Sequence, residues 1–146
     1  MALSVQDLRL ELPVSADRAM LAWLNHDLHG ENGFQLTATA ARESIAALRR
    51  SGYAIAVARL GRMTAGYALW RVGPQSVYVR HFVIRPELRR QGMGRAFAYL
   101  LLDHLPRSKD VRLDVRTRAA RAFWLTVGFR PALGGLRYAR NEESAK

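Results

Sequence analysis

Apolar and polar positions change their spacing several times along the chain, and each change marks an element. Val5 to Leu12 alternates loosely and stops at Pro13, which predicts a first strand. Ser15 reads as an N-cap, and Met20, Leu21, Leu24 and Leu28 follow at helical spacing, so a helix is predicted over 15–29. His29-Gly30-Glu31-Asn32-Gly33 is a loop. A second helix over 39–50 carries Ala41, Ile45 and Leu48 on one face. Two strand-like runs, Tyr53 to Leu60 and Met63 to Arg71, are joined by the short hairpin connection Gly61-Arg62. Gly73-Pro74 turns the chain into a third run, Ser76 to Ile84, rich in β-branched and aromatic residues. The period then returns to helical at Phe97, Leu100, Leu101 and His104, up to Pro106. Val111 to Val115 is a strand, Ala119, Ala122, Phe123 and Val127 mark a helix closed by Gly128, and Leu136 to Arg140 is a last strand. The order β-αα-βββ-α-β-α-β is a mixed α+β fold, an antiparallel meander feeding a β-α-β unit.

A chain of 146 residues suits one domain, taken here as 1–146, and can bury a core without staples. Hydrophobic residues at 49% against 24% charged belong to a folded protein. The absence of cysteine removes disulfides, a cysteine nucleophile and thiolate zinc sites. The longest apolar run, Ala96 to Leu102, is far short of a membrane span, and the N-terminus lacks the pattern of a signal peptide. A cytoplasmic protein with no membrane partner is therefore expected.

Charge changes this picture more than composition does. The net charge is +11, and residues 1–50 carry −1 of it while residues 51–146 carry +12. Of the 23 basic side chains, 21 are arginine, whose fork suits phosphate contacts. A phosphate-bearing or polyanionic partner is expected against the C-terminal two thirds. Nucleic acid, headgroups and phosphorylated cofactors all stay open on charge alone.

The segment that carries chemistry is Val77 to Leu101. It reads as a strand, a turn at Arg85-Pro86, the run Arg89-Arg90-Gln91-Gly92-Met93-Gly94, and then a helix. A glycine-containing turn that opens a helix leaves backbone N–H groups pointing outward, and together with the helix dipole these make an anion site. Residues 80–95 hold five arginines and one glutamate, and Arg89, Arg90 and Arg95 flank the glycines. A basic turn with glycines serving only backbone geometry is the alternative. Neither the dinucleotide-binding pattern nor a P-loop is present.

The run R-x-x-G-x-G at Arg89 to Gly94, after a strand ending in V-I-R-P, resembles the acyl-CoA-binding signature of the GNAT family of N-acyltransferases. Downstream, Thr117 to Phe129 (T-R-A-A-R-A-F-W-L-T-V-G-F) is similar to the closing motif of that family. The resemblance implies a GNAT-like fold whose third meander strand and following strand, about 77–84 and 111–116, run parallel and splay, with acetyl-CoA as co-substrate between them. It implies that main-chain groups of Phe82 and Ile84, with Val83 between them in the cofactor site, pair with the pantetheine amides. It also implies that Arg89, Arg90, Gln91, Gly92, Met93, Gly94 and Arg95 hold the pyrophosphate, with Thr117 and Phe123 further cofactor contacts. Thr117 stands where the family commonly has asparagine.

The resemblance also implies a proton chemistry that this chain departs from. An amine of pKa about 10.4 is almost all protonated at pH 7, so a general base normally helps. The position matching the usual base is Tyr78, a poor base unless perturbed, and His81 nearby titrates in the right range. A packed strand histidine is the ordinary alternative for His81. Where the family often has a tyrosine acid, this chain has Trp124, assigned to the acceptor side; an indole donates a hydrogen bond but no proton. The enzyme would then act by positioning and by polarising the thioester carbonyl from backbone N–H near Val83.

On the acceptor side, Asp27 and Glu31 lie in the region that walls the acceptor site in such proteins. They suggest a cationic amine, on a small molecule or peptide end. His26 and His29 read as helix-end residues rather than metal ligands, and no metal is expected. The function that follows is an N-acetyltransferase moving an acetyl group to a primary amine. A catalytically weak acyl-CoA-binding module is one alternative. A basic RNA-associated protein, including one that acetylates an RNA-borne amine, is another, less favoured because no nucleic-acid-binding signature occurs. An exposed final strand would allow a homodimer.

Overall fold

The computed structural model describes residues 3–12 and 38–140. The helix expected over 15–29 and the loop with His26, Asp27, His29 and Glu31 lie outside the described residues. The chain opens with a 3-10 turn, Val5–Asp7, closed by Ser4 and Asp7 in a capping box, and only then enters β1, Leu8–Glu11. Helix α1, Ala38–Arg50, is followed by the meander β2, Ala54–Leu60, β3, Met63–Val72, and β4, Ser76–Ile84. After a second 3-10 turn, Pro86–Leu88, come α2, Met93–His104, β5, Asp110–Leu113, α3, Arg118–Val127, β6, Arg130–Ala132, and β7, Gly135–Tyr138. Among the described residues no helix is long and apolar enough to cross a membrane.

The strands form one seven-stranded sheet in the order β1-β2-β3-β4-β5-β7-β6. All neighbours are antiparallel except β4 and β5. Among the described residues the order of strands and α-helices matches the sequence reading except at the end. Residues 130–132 form an extra strand that Pro131 hides from a pattern search, since proline lacks the ladder donor and is confined to edges. This strand covers β7. The last strand therefore lies between β5 and β6 and is not the exposed edge that would allow a homodimer.

Alternation on the strands sends residues to two cores. One face carries Val77, Val79, Ile84, Val111, Leu113 and Leu136 against Met93, Phe97, Leu101 and Trp124 of α2 and α3. The other carries Ile55, Val57, Tyr67, Leu69 and Val83 against Ile45 of α1. A β-bulge shifts the β3–β4 register beside Leu69/Trp70, whose partners are His81 and Val79, leaving Arg80 as the extra residue. Below the bulge the α2 side is lined from β4 by Val77 and Val79; beyond it, by Phe82 and Ile84. His81 and Val83 are thereby turned to the α1 side.

Candidate active site

Strands β4 and β5 pair for only four residues, Ser76↔Asp110 to Val79↔Leu113. β4 then continues to Ile84 without that neighbour, so its outer edge opens into a gap. On the inner edge Arg85 N–H donates to Ala65 O at 2.8 Å. Antiparallel alternation then gives the Val83 and His81 amides to β3 and turns those of Phe82 and Ile84 toward the gap. This corrects the expectation for Val83. Its side chain is buried in the α1-side cluster and its amide belongs to the ladder, so neither is offered to a ligand. The Ile84 carbonyl accepts from Arg89 Nε at 2.9 Å, which leaves the Phe82 and Ile84 N–H groups and the Phe82 carbonyl on the open edge.

At the end of that edge the loop turns into α2. Arg85 Nε is held by Thr64 O at 2.8 Å, Arg85 pairs with Glu87 at 2.7 Å, and Gln91 Nε2 donates to Glu87 O at 2.9 Å. Arg85, Arg89 and Gln91 thus build the loop, and Arg90 and Arg95 stand exposed. Arg90 has φ of 63° and Gly92, the N-cap, has φ of 83° with no side-chain cap. The first intrahelical bond runs from Ala96 N–H to Gly92 O. The N–H groups of Met93, Gly94 and Arg95 are therefore left by the helix for an external acceptor. The Met93 side chain, by contrast, is buried in the core.

The two sequence motifs meet here. A Cβ on Gly94 would lie 3.2 Å from Phe123 Cε1, so α2 and α3 approach closely because residue 94 has no side chain. Phe123 lies 5.9 Å from Phe82 and 4.9 Å from Trp124, centroid to centroid. Thr117 caps α3 by accepting from Ala120 N–H at 3.1 Å, which gives its hydroxyl a structural use.

The residues expected to move protons are placed differently from the sequence reading. Tyr78 donates its hydroxyl to Asp114 Oδ2 at 2.9 Å. Burial, the bond to Asp114 and the Asp114 charge raise its pKa, so the phenol stays protonated at neutral pH and Tyr78 is not a base. Asp114 was missed because nothing in the local pattern ties it to a residue on β4. His81 is 6% exposed and its Nδ1 lies 3.1 Å from the Tyr67 hydroxyl, whose own pKa burial pushes upward. That is the placement of a packed strand histidine.

Trp124, assigned to the acceptor, is 7% exposed and sits edge-on to Phe82 at 4.7 Å and Phe129 at 5.0 Å. It belongs to the core. Trp124→Phe should therefore lower stability by about 1–2 kcal/mol while the turnover number at saturating substrates stays within a few-fold. Paired melts and saturation kinetics check this, and a collapsed turnover number with normal stability would contradict it.

An acetyltransferase (GNAT) domain model matches residues 26–141. The chain belongs to the GNAT acetyltransferase family. This GNAT domain superposes on an acetyltransferase from Thermus thermophilus with a TM-score of 0.75 at 19% identity, over 92% of this chain and 96% of that one. It superposes on the ribosomal-protein-S18-alanine N-acetyltransferase from Escherichia coli with 0.67 at 18%, over 89% and 88%. For aminoglycoside acetyltransferase AAC(6')-Ib in complex with coenzyme A the values are 0.70 and 18%, over 89% and 91%. At these identities the likeness speaks to the fold of the GNAT domain. No curated protein sequence matches it significantly.

Proposed function

We propose that this GNAT domain transfers an acetyl group from acetyl-CoA to a primary amine by direct attack on the thioester. The observation that carries the reading is the parting of β4 from β5 after Val79 and Leu113, with the open edge leading to the uncapped N-terminus of α2. A chain of alternating amides and a diphosphate matches that sequence of groups. The Phe82 and Ile84 main chain would take the amides, and the N–H groups of Met93, Gly94 and Arg95, with Arg90 and Arg95, would take the diphosphate. Acetyl-CoA supplies an activated acyl group on a good leaving group.

The rest falls to the chain. The neutral amine attacks the carbonyl carbon, the C–S bond breaks, the thiolate leaves, and the proton shed by the new amide nitrogen passes through solvent to the thiolate. An N–H of Phe82 or Ile84 aimed into the gap would stabilise the charge developing on the carbonyl oxygen. Tyr78, protonated, does not supply the base, and Trp124, in the core, does not supply the acid, so rate comes from orientation and polarisation. A thiol-release assay with acetyl-CoA against amino acids, polyamines, aminoglycosides, peptide N-termini and aminoacyl-tRNA tests the reading. Acetyl transfer to at least one amine is expected. Tight CoA binding with no transfer to any would leave a binding module instead.

A further inference from the structure

On the α1 side of the sheet, register aligns three arginines on adjacent strands: Arg112 of β5 faces Arg137 of β7, which faces Arg130 of β6. Like charges directly opposite across strands destabilise a sheet, so this row requires compensation. Little is present among the described residues. Arg137 Nε is 3.6 Å from Asp110 Oδ2, and the other oxygen of Asp110 accepts Arg140 N–H at 2.9 Å. Arg130 donates to Phe129 O at 2.8 Å, a neutral partner. Arg112 is exposed and has no carboxylate within ion-pair distance among the described residues. The three side chains line a groove of about 450 Å³ whose other walls include Pro131, Ala132 and Leu133. Leu133, at the hairpin tip, is 99% exposed.

The arginine row runs on toward β4. Tyr78 is the next member of the same row, opposite Arg112, and its hydroxyl reaches Asp114. A Cβ on Gly135 would lie 2.9 Å from Asp114 Oδ1, so the β6–β7 hairpin closes against the residue that follows β5. Arg112, one residue before the last β4–β5 pair, and Arg137, on the next strand, therefore lie beside the place where β4 and β5 part. Guanidinium pairs offer forked donors to carboxylate or phosphate oxygens. The hollow has the size of a small-molecule site, not of a polyanion track.

We infer that Arg112, Arg137 and Arg130 bind an anionic group of the acceptor, so that the substrate is an amine that also bears a carboxylate or phosphate. This rests on the acyl-transfer reading above. It also differs from the cationic acceptor expected from Asp27 and Glu31, because the groove among the described residues is lined by arginines.

The test compares amino acids with their carboxamides, and aminoalkyl phosphates with the matching amino alcohols, in acetyl-CoA turnover. The anionic member of each pair is expected to have the higher kcat/KM by at least about tenfold. Arg112→Gln with Arg137→Gln should erase that preference by raising KM for the anion alone, leaving CoA affinity unchanged. Arg112→Lys, which keeps charge and loses the fork, should fall between, and it serves if the double variant fails to fold. Independently of turnover, inorganic phosphate titrated into the CoA-saturated protein should bind, and the same substitutions should abolish it. Equal KM within the pairs, or a preference surviving the substitutions, overturns the inference. RNA binding that needs both arginines at physiological salt, with no preference among small acceptors, overturns it as well. Phosphate binding that needs them, with no transfer to any amine, leaves the anion site standing and removes the acyl-transfer reading. Carboxylate pairs and phosphate pairs, ranked separately, tell which anion the site takes.

Discussion

Gly92→Val is expected to lower CoA affinity by at least about tenfold, about 1.4 kcal/mol, in a protein that still melts cooperatively. Gly92 has φ of 83°, a conformation that a β-branched residue adopts only with strain of about 1–2 kcal/mol. Space is not the obstacle, since a Cβ there would meet Val5 Cγ2 at an ordinary 3.4 Å. The added side chain instead forces the N-cap toward negative φ and re-aims the N–H groups of Met93, Gly94 and Arg95, which the helix leaves open. It also stands where a phosphate would approach the main chain. Calorimetric titration with CoA, beside a thermal melt, measures both effects. Unchanged affinity would remove the phosphate assignment of this loop.

Gly66→Ala is expected to destabilise the fold by about 2–4 kcal/mol and to weaken CoA binding in the folded fraction. A Cβ on Gly66 would collide with Val83 O and lie 3.0 Å from Val83 C and 2.9 Å from Ile84 Cδ1. The first two are main-chain atoms, so no rotamer change relieves the clash, and β4 must move away from β3 at Val83 and Ile84. The displaced segment carries the Phe82 and Ile84 amides along the gap. Its movement therefore reaches the site although Gly66 touches no ligand group. Denaturant unfolding gives the stability change and a CoA titration gives the second effect. A loss below about 0.5 kcal/mol would mean that the strands do not approach this closely.

Local signals that need only near neighbours were legible in the chain. The strand-like runs 54–60, 63–72 and 76–84 and the helical stretches 93–104 and 118–127 stand where the sequence predicts them, within a few residues. Each is set by which side chains must leave water together. The R-x-x-G-x-G turn was legible because a left-handed N-cap needs glycine and the sequence supplies it at residue 92. The 3-10 turn at Val5–Asp7 was not, because Val5, Leu8 and Leu10 fit an extended pattern equally well.

What tertiary structure alone decided is a matter of register and edges. One extra residue, Arg80, exchanges the faces of β4, so Tyr78 and His81 share a side and Phe82 falls to the other. An alternation count that assumes no bulge cannot see this. Trp124 fits both a pocket wall and a core position at the same helical spacing, and only its packing between Phe82 and Phe129 chooses the core. Arg112, Arg130 and Arg137 are separated by up to 25 positions in a chain with 21 arginines, and nothing local marks them. The ladder pairs β5 with β7 and β7 with β6, and that order places the three side chains in one row. Sequence alone determined where strands and helices form and where an anion can meet a helix end, because those depend on short-range periodicity and backbone freedom. Long-range strand order determined which side chains face the gap, because pairing partners far apart in the chain are chosen by burial of the whole sheet.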